Sequence, residues 1–296
     1  AGGAGVSDRR PTGRARRAAA LRSLVGRIDA AAAGEPVPDT VPSGFPSLDR
    51  LLGGGFRRQD LIVLGGDVGS GKSALALAVA LRSAELGAPV FLLSAEMDEA
   101  RLRERALAMQ GKASVDDIRQ GRLDESARAA VGAAAVAQRD LRLRLAALLD
   151  GGFGEVEAAL AAAPATTLLV VDALQLLVPP RASPRQEERV AIATRWLKSL
   201  AVRANLAVLA VSHLPGYRAT RPDPRPTLDD FGGGGAVKQQ ADVVLGLFRE
   251  EMYRAGQGVE GATELHVLKN RNGPTGFADL YFHPRWLRFA DLLDPD

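Results

Sequence analysis

The chain alternates between short runs of consecutive apolar residues and longer stretches in which apolar residues recur every three to four positions. Short apolar runs bounded by turn formers predict buried strands; the 3.6-residue recurrence predicts helices packed on one side. By these rules strands are predicted at 60–64, 89–93, 167–171 and 206–211. Helices fill the intervals, at 74 to about 86, within 98–138, at 155–162 and at 187–204. Leu141, Leu143 and Leu145 alternate with Arg142 and Arg144, the pattern of a half-exposed strand. From 242 onward, strands at 242–248, 263–269, 278–282 and 286–290 follow one another without a helical interval. Strand–helix alternation with a β-rich end predicts an α/β fold: a mostly parallel sheet flanked by helices, with antiparallel edge strands toward the C-terminus.

Two segments break this alternation. Residues 1–15 are rich in Gly, Ala and Arg and are predicted to be a disordered basic tail. From 16 to 33 the pattern is helical, with Leu21, Leu24, Val25 and Ile28 on one face, and Gly34-Glu35-Pro36 ends it. Residues 16–40 thus form a helix and linker ahead of the principal domain, 41–296. The apolar stripe suits packing on its own domain or docking on a neighbouring subunit equally well. Later, 179–189 forms a Pro- and Arg-containing loop. The stretch 215–241, with Pro215, Pro222, Pro224, Pro226 and Gly232 to Gly235, is predicted to be long and mobile.

Composition narrows the chemistry. Without cysteine there is no disulfide framework and no Cys-ligated metal. No apolar run reaches the ~18 residues needed to span a bilayer. The basic N-terminus lacks the apolar core of a signal peptide, so a cytoplasmic, membrane-free protein is expected. The net charge of +3 gives no overall polybasic signature, although Arg9, Arg10, Arg14, Arg16 and Arg17 crowd the first residues. The first residue is not Met, which fits a processed chain or a piece of a longer one.

The strongest motif is Gly66-Asp67-Val68-Gly69-Ser70-Gly71-Lys72-Ser73, set between a predicted strand and a predicted helix. This is the P-loop pattern in its required context. Gly-rich backbone turns its N–H groups inward around phosphate oxygens, and the helix N-terminus favours an anion. Gly66, Gly69, Ser70, Gly71, Lys72, Ser73 and Ala74 are therefore the candidate nucleotide contacts, with Lys72 reaching the outer phosphates and Ser73 ligating Mg²⁺. Ligands in such sheets sit at the carboxyl ends of the strands. Glu96, Asp172 and His213 fall there. Asp172, closing an apolar strand, fits a second Mg²⁺ ligand. Glu96 is placed to orient or deprotonate an attacking water, and His213 to contact the γ-phosphate. Each also has a plain structural alternative, a helix cap for the carboxylates and a packing role for the histidine.

These motifs, together with Val41-Pro42-Ser43-Gly44-Phe45, Ser94-Ala95-Glu96-Met97, Val171-Asp172-Ala173-Leu174-Gln175-Leu176, Gln240-Ala241-Asp242-Val243-Val244 and Lys269-Asn270-Arg271-Asn272-Gly273-Pro274-Thr275-Gly276, resemble the C-terminal, RecA-like motor domain of DnaB-type replicative DNA helicases. The likeness runs in order from about 41 to 291. It implies a RecA-like P-loop core and an ATP- and Mg²⁺-dependent ATPase, a 5′–3′ DNA helicase that acts on single-stranded DNA as a hexameric ring with replication proteins as partners. It further implies Glu96 as catalytic carboxylate, and Lys269 and Arg271 as cations completing a neighbour's site. Without the resemblance the last two would read as an ordinary basic turn. The helix at 16–33 sits where the family has a linker helix that docks on the next subunit.

Three departures stand out. The family's helical N-terminal domain has no counterpart in these residues. His213 replaces the usual sensor glutamine, which resembles the related RadA-type branch. The channel loop of the family carries an arginine that grips the strand; here Gly232-Gly233-Gly234-Gly235 stands there, followed by Lys238. Candidate DNA contacts are Arg181, Arg185 and Arg189 in the first loop, Arg218, Arg221 and Arg225 in the second, and Gly233, Gly234, Gly235 and Lys238. A divergent ATPase that binds DNA or protein partners without unwinding is the alternative these departures motivate.

Overall fold

The computed structural model describes residues 13–33, 39–180, 185–214, 221–254, 256 and 259–294. The chain divides into two units, 1–40 and 41–296. The first is represented by α1 (Gly13–Ala32), on which Leu21, Leu24, Val25 and Ile28 are all exposed. The helix starts inside the stretch predicted to be disordered. Arg14, Ala15, Arg16, Arg17 and Ala18 are all good helix formers, and no Pro or β-branched residue interrupts them. The rest of the basic tail lies outside the described residues.

In the second unit, nine strands form one sheet among the described residues. In chain order they are β1 (Leu61–Gly66), β2 (Val90–Ser94), β3 (Leu143–Ala147), β4 (Leu168–Asp172), β5 (Ala207–His213), β6 (Val243–Arg249), β7 (Ala262–Asn270), β8 (Gly276–His283) and β9 (Arg288–Asp291). Their spatial order is β9-β8-β7-β6-β1-β5-β4-β2-β3. The six strands from β6 to β3 are parallel, and β7, β8 and β9 extend the sheet antiparallel.

The helices cover both faces. On one side lie α3 (Lys72–Glu85) and α4 (Glu99–Gly111), followed by α5 (Val115–Gln120) and α6 (Glu125–Asp140); α2 (Pro46–Leu51) packs near β8. On the other lie α7 (Phe153–Ala161), α8 (Gln186–Ala204) and α9 (Ala236–Gln240). Strand alternation splits β1 between them: Ile62 and Leu64 join the α3 side, Leu61 and Val63 the α8 side. Both faces being covered explains why β1, β2, β4 and β5 read as continuous apolar runs, whereas β3, at the sheet edge, keeps its Leu–Arg alternation.

β1 continues two residues beyond its apolar run. Gly65 and Gly66 pair with Ser212 and His213 of β5 on one side and with Gly246 and Leu247 of β6 on the other. The sheet thus delivers the phosphate loop directly, with no slack before Asp67.

The segment predicted to be mobile is structured from 221 onward. Thr227 and Asp230 form a reciprocal capping box around a short turn. Arg221 grips Asp230 with two nitrogens, at 2.8 and 3.0 Å. α9 follows the four glycines. Pro and Gly set the turns here, but the polar side chains between them pair with one another and fix the path. No described helix is long and apolar enough to cross a membrane.

Candidate functional site

The phosphate loop turns through Gly69 and Gly71, at φ +77° and +93°. Gly71 is the residue preceding α3, and only glycine takes that left-handed conformation without strain. Lys72 opens α3, 7% exposed, with Nζ donating to the Asp67 carbonyl at 2.8 Å. The loop is also held from β6 and the turn after it. Arg249 Nη1 donates to the Gly69 carbonyl at 3.2 Å, and the Tyr253 hydroxyl donates to Asp67 Oδ2 at 2.7 Å. A cleft of about 590 Å³ opens above the loop. Gly69, Gly71, Lys72, Ser73 and Ala74 line its floor, and Glu96, Arg105, His213 and Arg249 its walls.

Neighbouring strands carry the acidic and histidine side chains to the same place. Ser94 closes β2 with its hydroxyl accepting from the Glu96 and Met97 N–H groups, at 3.2 and 3.0 Å, which turns Glu96 toward the cleft. Glu96 Oε1 lies 2.8 Å from His213 Nε2. His213, the last residue of β5, is gripped through its main chain by Gln175. Its N–H donates to Gln175 Oε1 at 3.0 Å, and Gln175 Nε2 donates to both the His213 carbonyl and Ser212 Oγ at 3.0 Å.

Asp172 ends β4 almost fully buried, and the Ser73 hydroxyl hydrogen-bonds to it. Its Oδ1 has no partner among the described residues. Burial, and then the nearby Glu96 charge, push its carboxyl up to about 6. A hydroxyl and a partly unsatisfied carboxylate in contact, at a phosphate loop, are the protein oxygens Mg²⁺ takes alongside phosphate and water. The residues therefore fit a nucleotide-bound Mg²⁺.

The raised value has a consequence for stability. A carboxyl whose folded value lies above its unfolded value of 3.8 favours folding below pH 4, and that contribution is lost as pH rises through 6. Above pH 6 the buried charge opposes folding, by about 2–3 kcal/mol at most. Asp172→Asn is therefore expected to raise the Tm of the nucleotide-free chain at pH 7.5, with the gain fading toward pH 4. The same variant should lose the extra stabilisation that Mg²⁺ adds to ATP. Thermal unfolding across pH, with and without Mg-ATP, reads both effects.

Lys269 and Arg271 are not in this cleft. β7 runs antiparallel to β6, with Lys269 opposite Val244 and Asn270 opposite Val243. Both cations thus sit where β6 and β1 begin, whereas the phosphate loop sits where β1 ends. The length of β1 separates the two ends, roughly 17 Å apart. Lys269 Nζ donates to the carbonyls of Lys238 and Ala241, at 2.8 and 2.5 Å. Arg271 Nη2 donates to the Gln239 carbonyl at 3.1 Å. Burial, and then the Arg271 charge, hold the Lys269 ammonium below its ordinary value.

The candidate strand contacts fare unequally. Arg181 and Arg218 lie outside the described residues. Arg185 and Arg189 are exposed at the start of α8. Gly233, Gly234 and Gly235 all have positive φ. A Cβ at Gly233 would come 3.0 Å from Val190 Cγ1, so the glycine loop rests against the first turns of α8 and the two loops converge. Lys238 is exposed but paired with Asp229 at 2.8 Å. Arg221 and Arg225 are each engaged by a carboxylate. Arg221 is taken up by Asp230, as above. Arg225 forks onto Glu264 at 2.7 and 2.6 Å with its guanidinium over the Phe248 ring. Each is thus ion-paired, with 34% and 36% of its side chain still exposed.

The model of the DnaB-like helicase C terminal domain matches residues 40–291. The chain belongs to that family. It is 28% identical over 270 residues to the replicative DNA helicase DnaB of Geobacillus stearothermophilus, and 29% identical over 267 residues to the replicative DNA helicase DnaC of Bacillus subtilis. Both matches take in 85% of this chain but 56% of the relative, so the chain spans little more than half the length of these relatives. Among solved structures, one that consists of an ATPase domain aligns with a TM-score of 0.83 at 25% identity, covering 93% of this chain and 98% of that one. A DnaB-like replicative helicase, studied for its interactions with primase, shares the fold at TM-score 0.84 and 24% identity, over 92% of this chain and 68% of that one. The fold is thus the RecA-like one of DnaB ATPase domains.

In this DnaB-like domain three residues that line or support the cleft have roles the sequence does not show. Gln175 follows Asp172 by three positions, but its partners on β5 emerge only once β4 and β5 are known to be neighbours. Arg105 is one of several arginines on α4, and only the helix's orientation sends it to the cleft wall, where its charge favours the Asp172 carboxylate. Ser94 belongs to a family motif, but its role in turning Glu96 leaves no mark in the sequence.

Proposed function

We propose that this chain is the ATP-hydrolysing motor of a replicative DNA helicase, working on single-stranded DNA in the 5′–3′ sense as a hexameric ring with nucleotide between subunits. One observation carries the reading: Lys269 and Arg271 lie at the opposite end of β1 from the phosphate loop. One chain therefore holds two half-sites facing opposite ways, which a head-to-tail ring joins.

In each joined site the P-loop amides and Lys72 bind the phosphates. Glu96, held by His213, orients and deprotonates the attacking water. Arg271, with Lys269, approaches from the next subunit and stabilises the charge that develops on the transferred phosphoryl group. Mg²⁺, held by Ser73 and Asp172, supplies further neutralisation of phosphate charge when bound. Gln175 fixes the position of His213, so that loss of the γ-phosphate is read at the end of β5.

The strand runs past the converged loops. Main-chain N–H groups of Gly233 to Gly235 bind its phosphates, helped by Arg185, Arg189 and Lys238. With no arginine in the glycine loop, these strand contacts contribute little charge, and the salt dependence of binding is shallow. The exposed stripe on α1 suits helix-in-groove docking on a neighbour. Replication proteins are the natural further partners, in a cytoplasmic setting. An ATPase that binds partners without unwinding is the reading that the family matches favour less.

The test is the ATPase rate with and without single-stranded DNA, alongside the mass of the assembly with Mg-ATP. Stimulation by the strand and a mass of about six chains are expected. A monomer whose turnover ignores single-stranded DNA at low salt would sink the proposal.

A further inference from the structure

Asp242, the residue just before β6, is a heavily engaged carboxylate outside the phosphate cleft. Its side chain is 3% exposed. Oδ2 accepts from the Leu61 N–H at 2.9 Å and from Lys198 Nζ at 2.5 Å. Oδ1 lies 3.3 Å from Arg271 Nη1. The main chain is tied as well: its N–H donates to the Leu61 carbonyl at 2.9 Å, and its carbonyl accepts from the Arg271 N–H at 2.8 Å. Lys198 in turn donates to the Gln59 carbonyl at 2.8 Å. The two oxygens divide their work. Oδ2 binds the scaffold of β1 and α8, and Oδ1 faces Arg271.

Arg271 itself projects outward, its side chain 51% exposed. Asn272, the next residue, is tied to Asp60 through Nδ2 at 2.9 Å. The turn is therefore fixed by main chain and flanking side chains, while the guanidinium reaches the Asp242 carboxylate and the Gln239 carbonyl. A long side chain free in solvent loses rotamer entropy whenever it is immobilised against a partner. A buried, immobile carboxylate at its base removes part of that loss in advance and sets the direction of the fork. Lys198 shares the same carboxylate, so the hold on Arg271 is divided between two cations.

We propose that Asp242 is the positioning residue for Arg271, aiming the guanidinium at the neighbouring subunit's nucleotide, with Lys198 as its counter-charge. The inference rests on the shared-site reading above. It assigns Asp242 to the chemistry of a neighbour's phosphate loop rather than to that of its own, which sits at the other end of β1.

That separation provides the test. Asp242→Asn keeps the shape and the Leu61 contact but removes the charge opposite Arg271. Turnover by the assembled chain is expected to fall ten- to a hundredfold, the scale set by a small misplacement of a reacting group, with nucleotide affinity within about threefold of the parent. The variant is then mixed with Lys72→Ala chains, whose phosphate loop is dead but whose Arg271 edge is intact. Mixed assemblies should recover turnover, because an Asp242→Asn subunit keeps a sound phosphate loop and borrows a sound edge. A lesion that merely loosens β1 would stay with its own subunit, and mixing would restore nothing. Should Asp242→Asn fold poorly, Asp242→Asn with Lys198→Met removes the second cation that shared the carboxylate, leaves only Arg271 beside the amide, and should behave the same way. Arg271→Ala mixed with Lys72→Ala is the reference. If that mixture recovers and the Asp242 mixtures do not, the positioning role is wrong and the shared site stands. If the reference also fails to recover, the shared site is wrong. Parental turnover in the Asp242 variants likewise overturns the inference.

Discussion

Lys72→Ala is expected to abolish ATP turnover while leaving the fold intact. The side chain is buried at the first position of α3, and its ammonium donates to the carbonyl of Asp67. That carbonyl belongs to the phosphate loop itself, so Lys72 sits over the surface that phosphate would occupy. Losing it removes the point charge nearest the outer phosphates, where charge develops as the γ-phosphoryl leaves. The fold has little reason to suffer, because alanine is the best helix former and α3 keeps its apolar face. Phosphate release at saturating ATP, paired with thermal unfolding, separates the two effects. Lys72→Arg should not restore the rate, since a planar fork is a poor substitute for a compact ammonium in a buried slot. Turnover surviving in Lys72→Ala would remove the phosphate loop from the chemistry.

The fold is legible wherever one physical rule dominates. Parallel strands covered on both faces must be apolar throughout, and β1, β2, β4 and β5 stand out that way. Asp172 is legible for the same reason, as the first polar residue after such a run. Legibility fails where contacts between distant segments decide the outcome. The order at 221–241 comes from Thr227, Asp230 and Arg221 finding one another, and from Arg225 reaching Glu264 on β7. Proline and glycine spacing carries no trace of those pairs. Gln175 and Arg105 need the strand order and the helix orientation. Lys269 and Arg271 are visible only by family likeness, since a basic turn before Gly273-Pro274 is common and nothing local marks it as special. The glycine loop shows the reverse: four glycines signal flexibility, yet Gly233 sits where a Cβ would meet Val190, so at that position the glycine also serves close packing.

Arg271→Ala should lower turnover by ~10³ or more while sparing nucleotide binding. Lys269 and Arg271 are not equivalent, and their geometry says which is the better probe. Lys269 is drawn inward, donating to carbonyls at the end of α9, and burial holds its ammonium below its ordinary value. Its loss would unbind α9 as well as remove a charge, and α9 follows directly on the glycine loop. Arg271 is half exposed, with Nη1 held by Asp242 at 3.3 Å while Nη2 rests on an α9 carbonyl at 3.1 Å, a contact that a phosphate oxygen can replace. Removing it therefore subtracts a transition-state charge with little structural consequence. Substrate bound in the phosphate loop of the same chain never meets this side chain, so the dissociation constant of a fluorescent ATP analogue for the isolated chain should be unchanged. In the proposed ring the rate at saturating ATP should collapse. Arg271→Lys should recover only a small part of it, because the guanidinium presents two parallel donors to phosphate oxygens and an ammonium presents one. A parental rate in Arg271→Ala would mean that each chain completes its own site, and the opposed half-sites on β1 would have no mechanistic role.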